Sequence, residues 1–376
     1  MSDREASGFG LDHLPYGVFS VDGGERRVGV RLHDTVVDLH ELTHRPEFAQ
    51  PSLNAFLALG PEVWRQTREE LGELTHHAPG IPLDDAVLHL PFEVADYVDF
   101  YASEHHASNV GRILRPGQEP LLPNWRHLPV GYHGRAGTVV VSGTPVVRPC
   151  GQRRTDDGPA FGPTRRLDIE AELGFVVGAP SPLGTPASYD DLDRHVFGVV
   201  GLNDWSARDV QAWEYVPLGP FLGKSFATSI SAWVTPLAAL DAAWCDVPAQ
   251  DPRPLPHLLP SDPAERPRGL DIEVEVELDG EVVSRPPYRT TYWSPGQMLA
   301  HLTSNGASLR TGDLFASGTI SGPEPGQRGS FLELWWGERF LDDGAEVVLR
   351  YTAPSTGGAR LSLGEVRGRV EPARAS

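Results

Sequence analysis

The chain has 376 residues, with 51 Asp and Glu against 32 Lys and Arg and a formal net charge of −19. Hydrophobic residues at 40% and charged residues at 22% are the balance of a globular protein, neither disordered nor membrane-embedded, with length for about two domains. All but one of the basic residues are arginine, Lys224 being the exception, and the absence of a basic stripe argues against nucleic acid or an anionic membrane as partner.

Cys150 and Cys245 lack metal-ligand or redox spacing, and two cysteines do not make a secreted disulfide framework. The charged N-terminal residues 1–8 lack the apolar core of a leader, and no apolar run approaches the roughly 18 residues that span a bilayer. A reducing cytoplasm is the expected compartment.

In chain order, residues 17–24 and 27–32 alternate like strands around a turn. Residues 52–74 hold two short helical stretches, the second opening at Pro61, and residues 81–91 read as a linker. From Asp96 onward, Gly and Pro without a repeat period predict many short strands joined by turns. Seven prolines between Pro248 and Pro267 exclude regular structure there and predict a surface excursion. Residues 294–306 predict a helix, with Ser294 as N-cap, Pro295 in the first turn and Gly306 after the end.

Residues 167–177 alternate with period two, which sets Asp168, Glu170 and Glu172 on one strand face and Ile169, Ala171 and Leu173 on the other. The ordinary reading of such a face is solvation, and residues 271–280 repeat the pattern before an Asp-Gly turn with no other chemistry nearby. The Glu170 segment differs in its company. It precedes residues 203–228 (NDWSARDVQAWEYVPLGPFLGKSFAT), whose bulky and rigid residue types suit a structured pocket. Asp204 would add a third oxygen ligand and Asp99 a fourth, a donor set for Mg²⁺ or Ca²⁺ and not for zinc.

That block, together with residues 96–109 (DYVDFYASEHHASN), 123–135 (PNWRHLPVGYHGR), 316–324 (ASGTISGPE) and 331–334 (FLEL), resembles the fumarylacetoacetate hydrolase family. The carboxylates alone match the wider superfamily of acylpyruvate hydrolases, decarboxylases and hydratases; the Tyr-rich and Pro-Asn-Trp strings narrow the resemblance to the fumarylacetoacetase branch. The resemblance implies a mainly β protein: a small SH3-like barrel domain over residues 1–92 and a larger β-roll domain with few helices over residues 93–376, working as a homodimer. It implies metal ligands Asp99, Glu170, Glu172 and Asp204, with Lys224 and Thr228 beside a second cation. His106 matches the general base, Glu333 its orienting carboxylate, and Arg208, Gln211 and Lys224 the groups that stabilise an oxyanion. Tyr101, Arg115, Tyr132, Gln211, Tyr215 and Thr319 match positions that hold substrate. Two features depart from the family pattern: His105 sets a second imidazole beside His106, and the segment between Pro248 and Pro267 has no counterpart.

The implied reaction is hydrolysis of the carbon–carbon bond of 4-fumarylacetoacetate to fumarate and acetoacetate, the last step of tyrosine and phenylalanine breakdown. It needs a base for water, a carboxylate to orient that base, and stabilisation of both an oxyanion and a carbanion. Two alternatives stand beside it: a relative acting on another acylpyruvate or β-keto acid, and an inactive metabolite-binding protein. Without the resemblance, Glu333 reads as the outward residue of an apolar strand, the tyrosines as core aromatics and Asp99 as a turn cap.

Overall fold

The computed structural model describes residues 8–76 and 78–374, so most of the charged N-terminal stretch lies outside the described residues. Strands β1 (Tyr16–Val21), β2 (Arg27–Leu32) and β3 (Thr35–Asp38) form an antiparallel meander. Helices α1 (Asn54–Leu57) and α2 (Pro61–Leu74) follow as expected, with Pro61 in the first turn, where its missing N–H loses no helical bond. The stretch read as a linker is partly strand: β4 (Ala86–His89) pairs with Val18–Val21 of β1. Its prolines bound a run just long enough to satisfy the backbone groups left open on that edge.

The larger part begins with β5 (Tyr97–Phe100), α3 (Glu104–Leu114) and β6 (Gly131–His133). Next come β7 (Leu167–Asp168), β8 (Ala171–Val177), β9 (Val196–Asp204), β10 (Ser206–Ala207) and α4 (Arg208–Glu214). They are followed by β11 (Thr228–Ile230), β12 (Trp233–Pro236), β13 (Glu273–Leu278), β14 (Glu281–Ser284) and α5 (Pro295–Thr303). The chain ends with β15 (Leu314–Ala316), α6 (Phe331–Leu334), β16 (Glu346–Pro354) and β17 (Arg360–Glu371). One sheet runs β3-β2-β1-β12-β9-β8-β15-β5-β6, and a second runs β14-β13-β16-β17, so the protein is mainly β with few helices.

Tyr16 and Gly17 of β1 pair with Val234 and Trp233 of β12, which carries the N-terminal strands into the main sheet. Phe197 packs edge-on against Tyr16, Phe56 and Trp64, so one aromatic core joins the two parts. Both faces of β8 are covered: Leu173, Phe175 and Val177 lie in the core shared with the second sheet, and Val176 lies in the core shared with β1 and α2. Glu172 is therefore buried, against the ordinary expectation for an alternating strand. The comparison strand β13 keeps that expectation, with Glu275 and Glu277 half-buried and paired to Arg285 and Arg350.

The helix α5 carries the Ser294/Gln297 capping box. The Pro248 to Pro267 excursion is irregular apart from a turn at Pro256–Leu258, and pairing of Trp244–Asp246 with Arg268–Leu270 closes its base. Among the described residues, no helix is long and apolar enough to cross a membrane.

Candidate active site

The main sheet converges on four carboxylates. Asp99 sits in β5, opposite Ala316 of β15 and Tyr132 of β6; Glu172 sits in β8 opposite Leu202, and Asp204 ends β9 opposite Thr228. Glu170 lies between β7 and β8, where its N–H donates to Asn203 Oδ1. One oxygen from each carboxylate lies within 4.8 Å of the others, and all four residues are buried.

Clustered carboxylates cannot stay charged in a dry interior without cations. Lys224 Nζ donates to Asp204 Oδ2 at 3.0 Å and also to Glu170 Oε2, and Arg208 Nη1 lies 2.7 Å from Glu170 Oε1. Lys224 and Arg208 cannot neutralise the four, all the less because Arg208 is shared with buried Asp168, so the cluster is short of positive charge. Asp99 Oδ1 and Glu172 Oε1 are buried acceptors with no donor among the described residues. Burial, reinforced by Asp204, pushes the Asp99 carboxyl well above the usual carboxylate range, and burial reinforced by Asp99 does the same to Glu172. Glu170 goes the other way: burial opposes its charge, but Lys224 and Arg208 hold it far below its ordinary value. Orphaned oxygens, carboxylate ligation and the charge deficit all fit a hard divalent cation.

The remaining acceptors are filled from neighbouring strands. Thr228 Oγ1 donates to Asp204 Oδ1 at 2.7 Å, and the Tyr132 hydroxyl donates to Asp204 Oδ2 at 2.9 Å. Gly318 N–H donates to Glu172 Oε2 at 3.2 Å. Only glycine fits there, because φ is +75° and an added Cβ would stand 2.1 Å from the Phe100 carbonyl oxygen. A cavity of about 100 Å³ opens onto Asp204 and Lys224 between Tyr97, Tyr132, Arg135 and Phe221.

Beside the cluster stands an imidazole–carboxylate pair. His106 is in the first turn of α3, whose N-cap Ser103 accepts the His106 N–H. Its Nδ1 lies 2.6 Å from Glu333 Oε2, and its Nε2 lies 4.0 Å from Glu170 Oε1. Asn109, one helical turn on, donates to Glu333 Oε1, while the Ser321 and Ser330 hydroxyls donate to Oε2. Burial would raise the Glu333 carboxyl, yet His106 and these hydrogen bonds hold it at about 2. An ionised Glu333 places the imidazole proton on Nδ1 and leaves Nε2 free to accept one. Glu333 is on α6, a helical turn capped by Ser330, and not on the strand that its apolar neighbours suggested. A strand would have turned it away from Leu332; the turn lets Phe331 and Leu332 stay buried while Glu333 points to His106.

His105 has no hydrogen-bond partner among the described residues, so the pair is built on His106 alone. The Tyr101 ring stands edge-on to His106 at 5.3 Å, and burial drives its hydroxyl above the ordinary phenol value. Gln211 accepts from Arg208 Nη1 at 3.2 Å, and the Thr319 hydroxyl is buried with no partner among the described residues. Two residues make no hydrogen bond to the cluster or to the His106 pair among the described residues, although Arg115 lies within electrostatic reach of the Tyr101 hydroxyl. Arg115 caps the end of α3 and donates to the Pro120 carbonyl, and Tyr215 is 44% exposed beside Trp213 and Val216. Sequence reasoning missed Asn109, Ser321, Ser330 and the helix α3 itself; a Ser103 N-cap followed by Glu104 was the available signal for α3.

Comparison with known proteins agrees along the whole chain. Residues 12–91 match the family described as Fumarylacetoacetase N-terminal, and residues 96–371 match Fumarylacetoacetate (FAA) hydrolase C-terminal. The fumarylacetoacetase of Homo sapiens is 44% identical over 413 residues, with 98% of this chain and 97% of its own covered. That of Caenorhabditis elegans is 42% identical with 99% of each covered, and that of Arabidopsis thaliana is 39% identical with 97% and 96% covered. The solved fumarylacetoacetate hydrolase of Exiguobacterium antarcticum superposes with a TM-score of 0.60 at 19% identity, over 96% of this chain and 100% of that one, a likeness of fold. Matched through both halves and at 39–44% identity to full-length relatives, the chain belongs to the fumarylacetoacetate hydrolase family.

Proposed function

We propose that this chain is a metal-dependent hydrolase that cleaves 4-fumarylacetoacetate to fumarate and acetoacetate, with His106 and Glu333 handling the proton of water. The observation that carries the reading is the 4.0 Å approach of His106 Nε2 to Glu170, which puts a free imidazole nitrogen at the edge of the carboxylate cluster. A divalent ion, Mg²⁺ or Ca²⁺, held by Asp99, Glu170, Glu172 and Asp204 would polarise the diketone oxygens and spread the charge of the leaving group. A relative of the same fold, the maleylpyruvate hydrolase of Sphingobium sp. SYK-6, is described in complex with manganese and pyruvate.

His106 Nε2 takes a proton from water as its oxygen adds to the scissile carbonyl carbon, and ionised Glu333 stabilises the imidazolium that forms. Arg208 presents Nη2, buried and without a partner among the described residues, and with Gln211 and Lys224 meets the oxyanion. The carbon–carbon bond then breaks, its electron pair leaving on the acetoacetate fragment, which takes up the proton held on the His106 imidazolium and so restores the base. Tyr101, Arg115, Tyr132 and Thr319 hold the substrate carboxylates and carbonyls, and Tyr215 meets the bound diacid from the rim. In an acidic protein this local set of cations supplies the attraction that the overall field lacks. The same reading takes residues 1–92 and 93–376 as the two domains, Lys224 and Thr228 as neighbours of a second cation, a homodimer as the working form and the cytoplasm as its location.

The test is turnover of fumarylacetoacetate, followed by loss of diketone absorbance, with and without chelator. Activity that survives exhaustive chelation removes the metal from the mechanism. Comparable kcat/KM for a smaller acylpyruvate moves the substrate assignment to that class.

A further inference from the structure

Asp168 is wholly buried, yet it is neither a member of the carboxylate cluster nor a hydrogen-bonding partner of His106. Its two oxygens accept from three separate segments. Oδ1 takes the N–H of Ile169 and the N–H of Phe331, both at 2.8 Å; Oδ2 takes the N–H of Leu332 at 3.2 Å and Arg208 Nε at 2.8 Å. We infer that Asp168 is a positioning residue that fixes Arg208 and the α6 turn bearing Glu333 in one mutual geometry. The inference rests on the site reading above and deepens it.

The chemistry of each partner explains why an anchor is needed. Helix α6 is four residues long, too short to hold its own direction, and its first N–H groups have no intrahelical acceptor. A carboxylate at that end satisfies two of them. Arg208 is a rigid planar fork: with Nε pinned on Asp168 and Nη1 on Glu170, the direction of Nη2 is set. That remaining arm is buried and has no partner among the described residues. A shift of Asp168 therefore moves the group that orients His106 and the group that meets the oxyanion together. The β7–β10 pairing of Asp168 with Ser206 already holds the local backbone, so the carboxylate is free to serve these side contacts.

The test compares D168N, R208Q and E333Q with the double variants D168N/R208Q and D168N/E333Q, in the metal-loaded full chain. D168N is isosteric, but it loses the charge facing Arg208 and presents an amide to donors. The expected result is a kcat loss of about 100-fold with KM within about threefold, the range seen when groups supporting an active-site residue are removed. Mg²⁺ affinity by calorimetry stays within about threefold, and each double variant falls no more than about threefold below its R208Q or E333Q parent. A D168N kcat within about threefold of wild type, or double variants that lose the product of the single effects, overturns the inference. If D168N does not fold, D168E keeps the charge and displaces it by one methylene; a folded D168E with near-normal kcat overturns the inference as well. R208Q and E333Q near wild type would instead sink the site reading beneath it, which separates the two failures.

Discussion

Lys224 is the sharpest case at the scale of single residues. Its ammonium fits between Glu170 and Asp204, and burial, which alone would discharge it, is outweighed by those two carboxylates. Arginine keeps the charge but needs a wider planar space, so Lys224→Arg should lower kcat by roughly 100-fold or more. Activity near wild type in that variant would mean that any cation suffices there. His106→Ala and Glu333→Gln should each reduce kcat by on the order of 10³-fold while metal titration is unchanged. Glu333 also contributes to the acid limb of stability. Its folded value of about 2 lies below the ordinary carboxylate range, so its contribution is present above about pH 4.5 and lost as pH falls toward 2. Glu333→Gln should therefore flatten the acid limb of a plot of Tm against pH, and an unchanged limb would contradict the assignment.

At the scale of elements, the strands and the capped helix α5 were legible because alternation and caps are local signals. The elements that position the dyad were not. Residues 331–334 are apolar on both sides of one glutamate, which suits a buried strand and a buried helical turn equally well, and only the Ser330 cap and the Asp168 anchor decide between them. Helix α3 was hidden because the string containing it was legible as a motif before it was legible as an element. Gly318 ties this scale to the site, since the turn after β15 brings its N–H to Glu172. Gly318→Ala places a methyl against the Phe100 carbonyl in a backbone region hostile to side chains, and should cost roughly 1–3 kcal/mol in unfolding free energy. The same variant should weaken metal binding, which a titration of the folded protein will read.

For the whole molecule, the consequence concerns the ion and pH together. In the metal-free protein, burial reinforced by Asp204 raises the folded value of Asp99 and burial reinforced by Asp99 raises that of Glu172, so the folded state holds protons that the unfolded chain has released. Stability of that form falls as pH rises from about 4 through the raised values, because the folded state binds more protons over that window. A metal ion held at the proposed site would reverse this by binding only the folded, deprotonated form, contributing about 2.7 kcal/mol at a hundredfold excess over its dissociation constant. The Tm gap between metal-loaded and chelated protein should therefore widen from pH 5 to pH 8. A constant gap would show that the four carboxylates do not act together.

What the sequence determined by itself was the kind of chemistry available: carboxylates on alternate positions, a lone lysine, and motif strings whose resemblance implied the family and the site residues. Such signals lie within a few residues of one another, where spacing along the chain is spacing in space. Tertiary structure alone decided which faces were dry. Glu172 and the glutamates of β13 share one pattern, but the first lies under a core assembled from β1, α2 and β5, whereas Glu275 and Glu277 stay half-buried beside Arg285 and Arg350. Tertiary structure also brought Asp168 to Phe331 and Arg208, across 163 and 40 positions of chain, through contacts that no local period encodes. Burial depends on what the rest of the chain places on top of a residue, and in this site burial is what sets these carboxylates apart from ordinary solvated ones and fits them to the roles proposed for them.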